Sequence, residues 1–201
     1  MKKIMFNDKL SLTQAVLEGR KTQTRRIIPK DFFSLTWDKR DDTLVYENGM
    51  GDFIDVRNSK YAQYKVGEVV AVAQRMCDVY AEWDMTYLGK DTKALMEKFG
   101  GSPGFNNKMF VKASEMPHQI SITDVRVEKL QDISENDCLK EGLDIDTDPM
   151  NPLCCAYSFH GSSLWYLSPR KAFTHLINKV SGKDIWSENP YVFVYDFKLI
   201  K

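Results

Sequence analysis

The sequence has no run of 18 apolar residues, the length a membrane-crossing helix needs, and its start, MKKIMFNDKLSLTQ, turns polar after Phe6, too soon for a secretory signal. A cytoplasmic protein with no membrane partner is expected. Cysteine is sparse: Cys77, Cys138, Cys154 and Cys155 show no C-x-x-C spacing, and the adjacent pair at 154 and 155 is badly placed for a mutual disulfide or a common metal site. Reduced thiols are expected. Histidine is scarcer still, with His118, His160 and His175 and no second ligand at helical spacing from any of them, which argues against zinc. No metal or other cofactor is expected. Net charge is also missing: 28 Lys and Arg balance 28 Asp and Glu, which excludes a protein that coats nucleic acid by charge alone. No repeat and no low-complexity tract occurs.

What is present is enough for one core. With 201 residues, 43% hydrophobic and 12% aromatic, a single domain spanning 1–201 is expected, with loop insertions near 31–65, 84–110 and 143–167. The charge is segregated along the chain. Residues 1–30 hold eight cations (Lys2, Lys3, Lys9, Arg20, Lys21, Arg25, Arg26, Lys30) against Asp8 and Glu18, while 131–151 hold seven acids against Lys140. These segments either face one another in the fold or leave an exposed basic binding face.

Residues 11–18 read as a short helix, with Ser11 and Gln14 in a capping-box pattern and Gly19 as the stop. The basic stretch GRKTQTRR at 19–26 then reads as a turn leading into RIIP. FFSLTW, TLVYE and DFIDV suggest one or two hairpins. VGEVVAVAQRM at 66–76 is a buried strand after which Gln74 and Arg75 should leave the core. KFGGSPGFNNK reads as a flexible loop. HQISITDVRVEKLQDI alternates like a long strand with one solvated face, and SENDCLKEGL like a helix capped by Ser134 and stopped at Gly142. Residues 143–167 read as a loop carrying Trp165 and Tyr166. Residues 168–180 read as a helix opened by Ser168 and Pro169, and NPYVFVYDFKLI as a closing strand. The pattern predicts an α+β fold with a curled, mostly antiparallel sheet and short flanking helices.

The order of GRKTQTRR, VGEVVAV, MPHQISITDVRVEKLQDISENDCLKEGL and a terminal NPYVFVYDFKLI resembles the ASCH domain, in its larger versions common in phages, prophages and gut bacteria. That resemblance implies a PUA-like β-barrel and an RNA-related function. The family's G-x-K-x-x-T-x-R signature falls on Gly19, Lys21, Thr24 and Arg26, and its K-x-x-x-M-P stretch on Lys112, Met116 and Pro117. Some smaller members remove the acetyl group from acetylated cytidine with a Lys, a Thr and a Glu. The resemblance places the first two on Lys21 and Thr24 and the third where Gln74 stands, with His118 replacing a frequent Arg and Tyr191 a usual Trp.

An amide at 74 cannot shuttle protons, a function worth about 100-fold to 10,000-fold. It can still hydrogen-bond a base edge, while Lys21, Arg25 and Arg26 can neutralise phosphate and Thr24 can donate to it. The expected ligand-binding set is thus Gly19, Lys21, Thr24, Arg25, Arg26, Gln74 and Lys112, with Lys21, Thr24 and Gln74 as the catalytic group if the chain is an enzyme. Trp165, Tyr166, Trp83 and Tyr80 are candidates for stacking. Binding of RNA or a nucleotide in a basic cleft, with RNA or a modified nucleoside as partner, is the expected function; amide hydrolysis on an acetylated or otherwise modified cytidine, weakened by Gln74, and a phage-derived interaction domain are the alternatives.

Overall fold

The computed structural model describes residues 1–29, 35–38, 43–86, 92–148 and 151–200, the side chains of 83–86, 147–148 and 151–154 excepted. In chain order the strands are β1 (Lys2–Ile4), β2 (Gln23–Ile27), β3 (Thr36–Asp38), β4 (Thr43–Glu47), β5 (Phe53–Asp55), β6 (Val69–Val72), β7 (Gln119–Lys129), β8 (Asp144–Asp148), β9 (Asn151–Ser158) and β10 (Tyr191–Leu199). The helices are α1 (Leu12–Leu17), α2 (Met76–Thr86), α3 (Thr92–Phe99), α4 (Pro103–Asn106), α5 (Glu135–Lys140), α6 (Pro169–Ser181) and α7 (Ile185–Glu188).

The main sheet runs β1-β6-β7-β10-β2, with β1 parallel to β6 and the other three pairings antiparallel. The fold is therefore mixed α+β with a mostly antiparallel sheet. Among the described residues β1 and β2 form its two edges, and the strands do not close into a barrel.

β6 explains why its sequence is a continuous apolar run. Val70 and Val72 point into the principal core with Ile120, Ile122, Phe173 and Phe193, while Ala71 and Ala73 face a second cluster with Met76, Val79, Leu95, Val111 and Met116. A strand buried on both faces has no need of polar alternation. β7 alternates until Ile122, then resumes its buried set at Val125. The break coincides with a register shift: Asp196 pairs with Asp124 but Phe197 with Ile122, so Thr123 bulges out and the apolar face is kept.

Several expectations from sequence are corrected. The capping box at Ser11 does not form. Ser11 sits at φ +50 with no side-chain cap, and Gln14 instead donates to Glu18 Oε1 at 3.0 Å. GRKTQTRR is not a turn, because its second half is β2, recruited as an edge strand by the long apolar β10 with Thr24 opposite Tyr195 and Arg26 opposite Phe193. KFGGSPGFNNK carries the end of α3, α4 and a 3₁₀ turn, because Leu95, Phe99 and Phe105 pack on the second cluster. Residues 143–167 contain the β8–β9 hairpin rather than a plain loop. Within 31–65 the strands expected as hairpins pair in the order β3-β4-β5, while residues 31–34 and 39–42 lie outside the described set. Ser134 caps α5 by accepting from the Asp137 N–H at 3.1 Å, as its sequence suggests. No helix among the described residues is long and apolar enough to cross a membrane.

Candidate functional site

Lys21 is held where two helix ends meet. α1 stops at Gly19, which adopts φ +74, and the Lys21 N–H then donates to Ala15 O at 2.8 Å. One residue on, the Thr22 N–H donates to Lys140 O at 3.0 Å, so the segment is clamped against the end of α5 and Lys21 forms an isolated antiparallel bridge with Glu141. Gly142 permits this approach. It sits at φ +92, and a Cβ there would lie 3.2 Å from Lys21 Cβ and 3.3 Å from Ala15 Cβ.

The Lys21 side chain is 2% exposed. Its Nζ donates to Glu141 Oε2 at 2.6 Å and to Glu141 O at 2.8 Å. Arg25 reaches the other oxygen of the same carboxylate, Nη1 to Glu141 Oε1 at 2.8 Å, and donates to Glu128 Oε1 from Nη2 at 2.6 Å. From there the network continues through Arg126, which bonds Asp196, Asp137 (2.8 Å) and Glu128 (3.3 Å), and through Lys140 to Asp137 at 3.0 Å. Four cations (Lys21, Arg25, Arg126, Lys140) thus meet five carboxylates (Asp124, Glu128, Asp137, Glu141, Asp196). The basic 19–26 and acidic 131–151 segments do face one another, and Arg20 joins Asp144 at 3.0 Å in the same way.

Beside this network lies a cavity of about 60 Å³ whose walls include Lys21, Thr24, Arg25, Arg26, Glu141, Phe6 and Phe173. It reaches the surface between Met5 and Val180, both well exposed. At roughly 10–15 Å³ of such space per water, it holds a group of about four waters' size, smaller than a nucleotide. Arg26 is anchored by Nη2 donating to Met5 O at 2.7 Å and lies 6.0 Å from the Phe6 ring centroid. Its Nε is buried with no partner among the described residues. Desolvation pushes the Lys21 amine below its ordinary value, with Arg26 and Arg25 adding to the fall and Glu141 opposing it.

The residues named from sequence divide. Lys21, Thr24, Arg25 and Arg26 come together, and Gly19 shapes the turn that delivers them. Gln74 does not join them: it lines a different cavity, with its Oε1 accepting from His118 Nδ1 at 2.7 Å. It also stays buried at 4% exposure rather than leaving the core, because the second cluster and Met116 cover it. Lys112 is exposed at the start of a 3₁₀ turn and lines neither cavity. Tyr166 stacks on His175 at 4.9 Å, Trp165 is exposed, Tyr80 packs on the second cluster, and the Trp83 side chain lies outside the described set. The aromatic rings at the Lys21 cavity are instead Phe6 and Phe173. Sequence reasoning missed Glu141, whose traces were a Glu-Gly pair closing a capped helix and the sign contrast between the two segments.

No family model, no curated protein and no solved structure matches this chain.

Proposed function

We propose that the chain is an ASCH-type domain of PUA-like ancestry that binds a modified nucleoside, free or within RNA, and hydrolyses an amide on its base at the Lys21 cavity. The observation that carries this reading is the convergence of Lys21, Thr24 and the Glu141 carboxylate on one small cavity. Glu141 supplies the acid that position 74 lacks. The cavity's volume suits an acyl amide better than a whole base.

In this reading neutral Lys21 Nζ takes the Thr24 hydroxyl proton as Oγ1 attacks the amide carbon, and the positive charge of the Arg25 and Arg26 guanidinium groups in the cavity wall stabilises the oxyanion. The C–N bond then breaks as Lys21 returns its proton to the leaving amine. Water hydrolyses the Thr24 ester, releasing the acid and restoring the hydroxyl. Glu141 orients Lys21 throughout. Arg26 also lies at the rim where a neighbouring phosphate would pass.

The two hydrogen bonds from Lys21 to Glu141 favour a second reading, in which the ammonium stays charged and the site binds without turnover. Incubation with acetylated cytidine, as nucleoside and in a short RNA, separates the two. Deacetylation that Lys21→Ala lowers by about 100-fold or more supports hydrolysis. Saturable binding without deacetylation supports the second reading. Neither turnover nor binding at low salt, with a folded protein, refutes both.

A further inference from the structure

The Lys21 cavity has two kinds of wall. Lys21, Thr24, Arg25, Arg26 and Glu141 give it polar groups, while α6 contributes Phe173, Leu176, Ile177 and Val180. Those four positions are spaced i, i+3, i+4 and i+7, so they share one face of the helix. Exposure rises along that face: Phe173 and Leu176 are 1% and 2% exposed, Ile177 is half-buried, and Val180 is 40% exposed. At about 1.5 Å per residue, the apolar stripe runs roughly 10 Å from a closed end to the mouth. Phe6 and Leu12, both buried, extend the apolar side, and Met5 stands with Val180 as the exposed pair at the opening.

This division orients an acyl amide. A carbonyl has partners on the polar side, and an apolar wall that offers no hydrogen bond suits the hydrocarbon end. With the carbonyl carbon beside Thr24 and its oxygen toward Arg25 and Arg26, the alkyl part lies against α6. A nucleobase is too large for about 60 Å³ and stays outside the Met5 and Val180 opening, so the acyl group enters first and the closed end limits its length. An acetyl amide fills such a space. Each further methylene must displace Leu176 or hold the carbonyl away from Thr24, and one methylene changes discrimination by about 10-fold to 200-fold in a fitted pocket.

We infer, on the functional reading proposed above, that the α6 face sets the acyl specificity of the Lys21 cavity, which takes an acetyl group and rejects longer acyl chains, with Leu176 as the residue that limits length.

Calorimetric titration of the full chain with cytidine carrying an acetyl, propionyl or butyryl group on its exocyclic amine tests it. Thr24→Val, which keeps the side-chain shape and removes the nucleophile, serves as the background so that affinity is read without turnover. The acetyl compound should bind about 10-fold or more tightly than the butyryl compound, with the propionyl compound between them. Adding Leu176→Ala should shrink that gap by about 10-fold, and Ile177→Ala, at a half-buried position of the same wall, should shrink it where the Leu176 variant does not fold. Equal affinity for the three compounds overturns the inference, as does a gap that both α6 variants leave unchanged or binding of none of the three. Equal affinities alongside deacetylation by the wild type refute the length limit and leave the proposed hydrolysis standing. The predicted order without deacetylation does the reverse, so the two fail separately.

Discussion

Replacing Glu141 with Gln keeps size and shape but removes the charge that two buried cations share. In the native protein the carboxylate accepts from Lys21 at 2.6 Å and from Arg25 at 2.8 Å, with the three side chains 7%, 2% and 1% exposed. Arg25 retains Glu128 at 2.6 Å, so the loss falls mainly on Lys21, which is left with Glu141 O at 2.8 Å. Removing one partner of a buried pair costs about 3–5 kcal/mol, a large share of the roughly 5–15 kcal/mol typical of a folded domain. At roughly 2–4 °C per kcal/mol for a chain of this length, Tm should fall by about 6–20 °C. Urea and thermal unfolding followed by circular dichroism would measure it at neutral pH. The loss should shrink as pH approaches the ordinary lysine value of 10.5, because a stranded Lys21 can shed its proton and escape the burial cost. Adding Lys21→Met to Glu141→Gln should recover about 1–3 kcal/mol by deleting the stranded ammonium. A change within about 0.5 kcal/mol for Glu141→Gln, or strict additivity in the double variant, would refute the view that this pair is a buried, coupled unit.

Three further outcomes follow from the same geometry. Gly142→Ala forces a Cβ to 3.2 Å from Lys21 Cβ at φ +92, and should cost about 1–3 kcal/mol in urea unfolding. The lowered Lys21 amine means that the unfolded chain binds its proton first as pH falls from 10.5, so this group favours folding above that value and the benefit is lost toward its folded value. The stability of wild type minus Lys21→Met should therefore rise with pH up to 10.5, a difference that cancels the opposing loss from Tyr195, whose phenol burial pushes to about 12. Burial likewise pushes the Cys138 thiol to about 12, so thiol reagents in native conditions should label exposed Cys155 and spare Cys138, whose labelling should follow unfolding.

The strands of the main sheet were legible because β6, β7 and β10 carry strong apolar patterns that tertiary contacts reinforce. β2 was not, since five polar-rich residues take extended form only when β10 supplies the hydrogen bonds. α3 and α4 were hidden for a related reason. Gly, Ser and Asn there outweigh a few apolar residues locally, yet Leu95 and Phe105 find a partner in the far face of β6. At the site, Lys21, Thr24 and Arg26 could be named because they lie within six residues of one another. Glu141 lies 120 residues from Lys21, and only the β-bridge and the close approach at Gly142 bring it near. Gln74 was misplaced beside Lys21 because its strand position says which end of the sheet it occupies, not which side of the 5–17 segment it faces.

The most direct test of the central claim is peptide mass spectrometry of the protein quenched during incubation with acetylated cytidine. The account predicts one acetyl group on the peptide containing Thr24, absent from Thr24→Ala and from Lys21→Ala. Deacetylation that proceeds undiminished in Thr24→Ala, with no acetyl group on that peptide in the wild type, would contradict it.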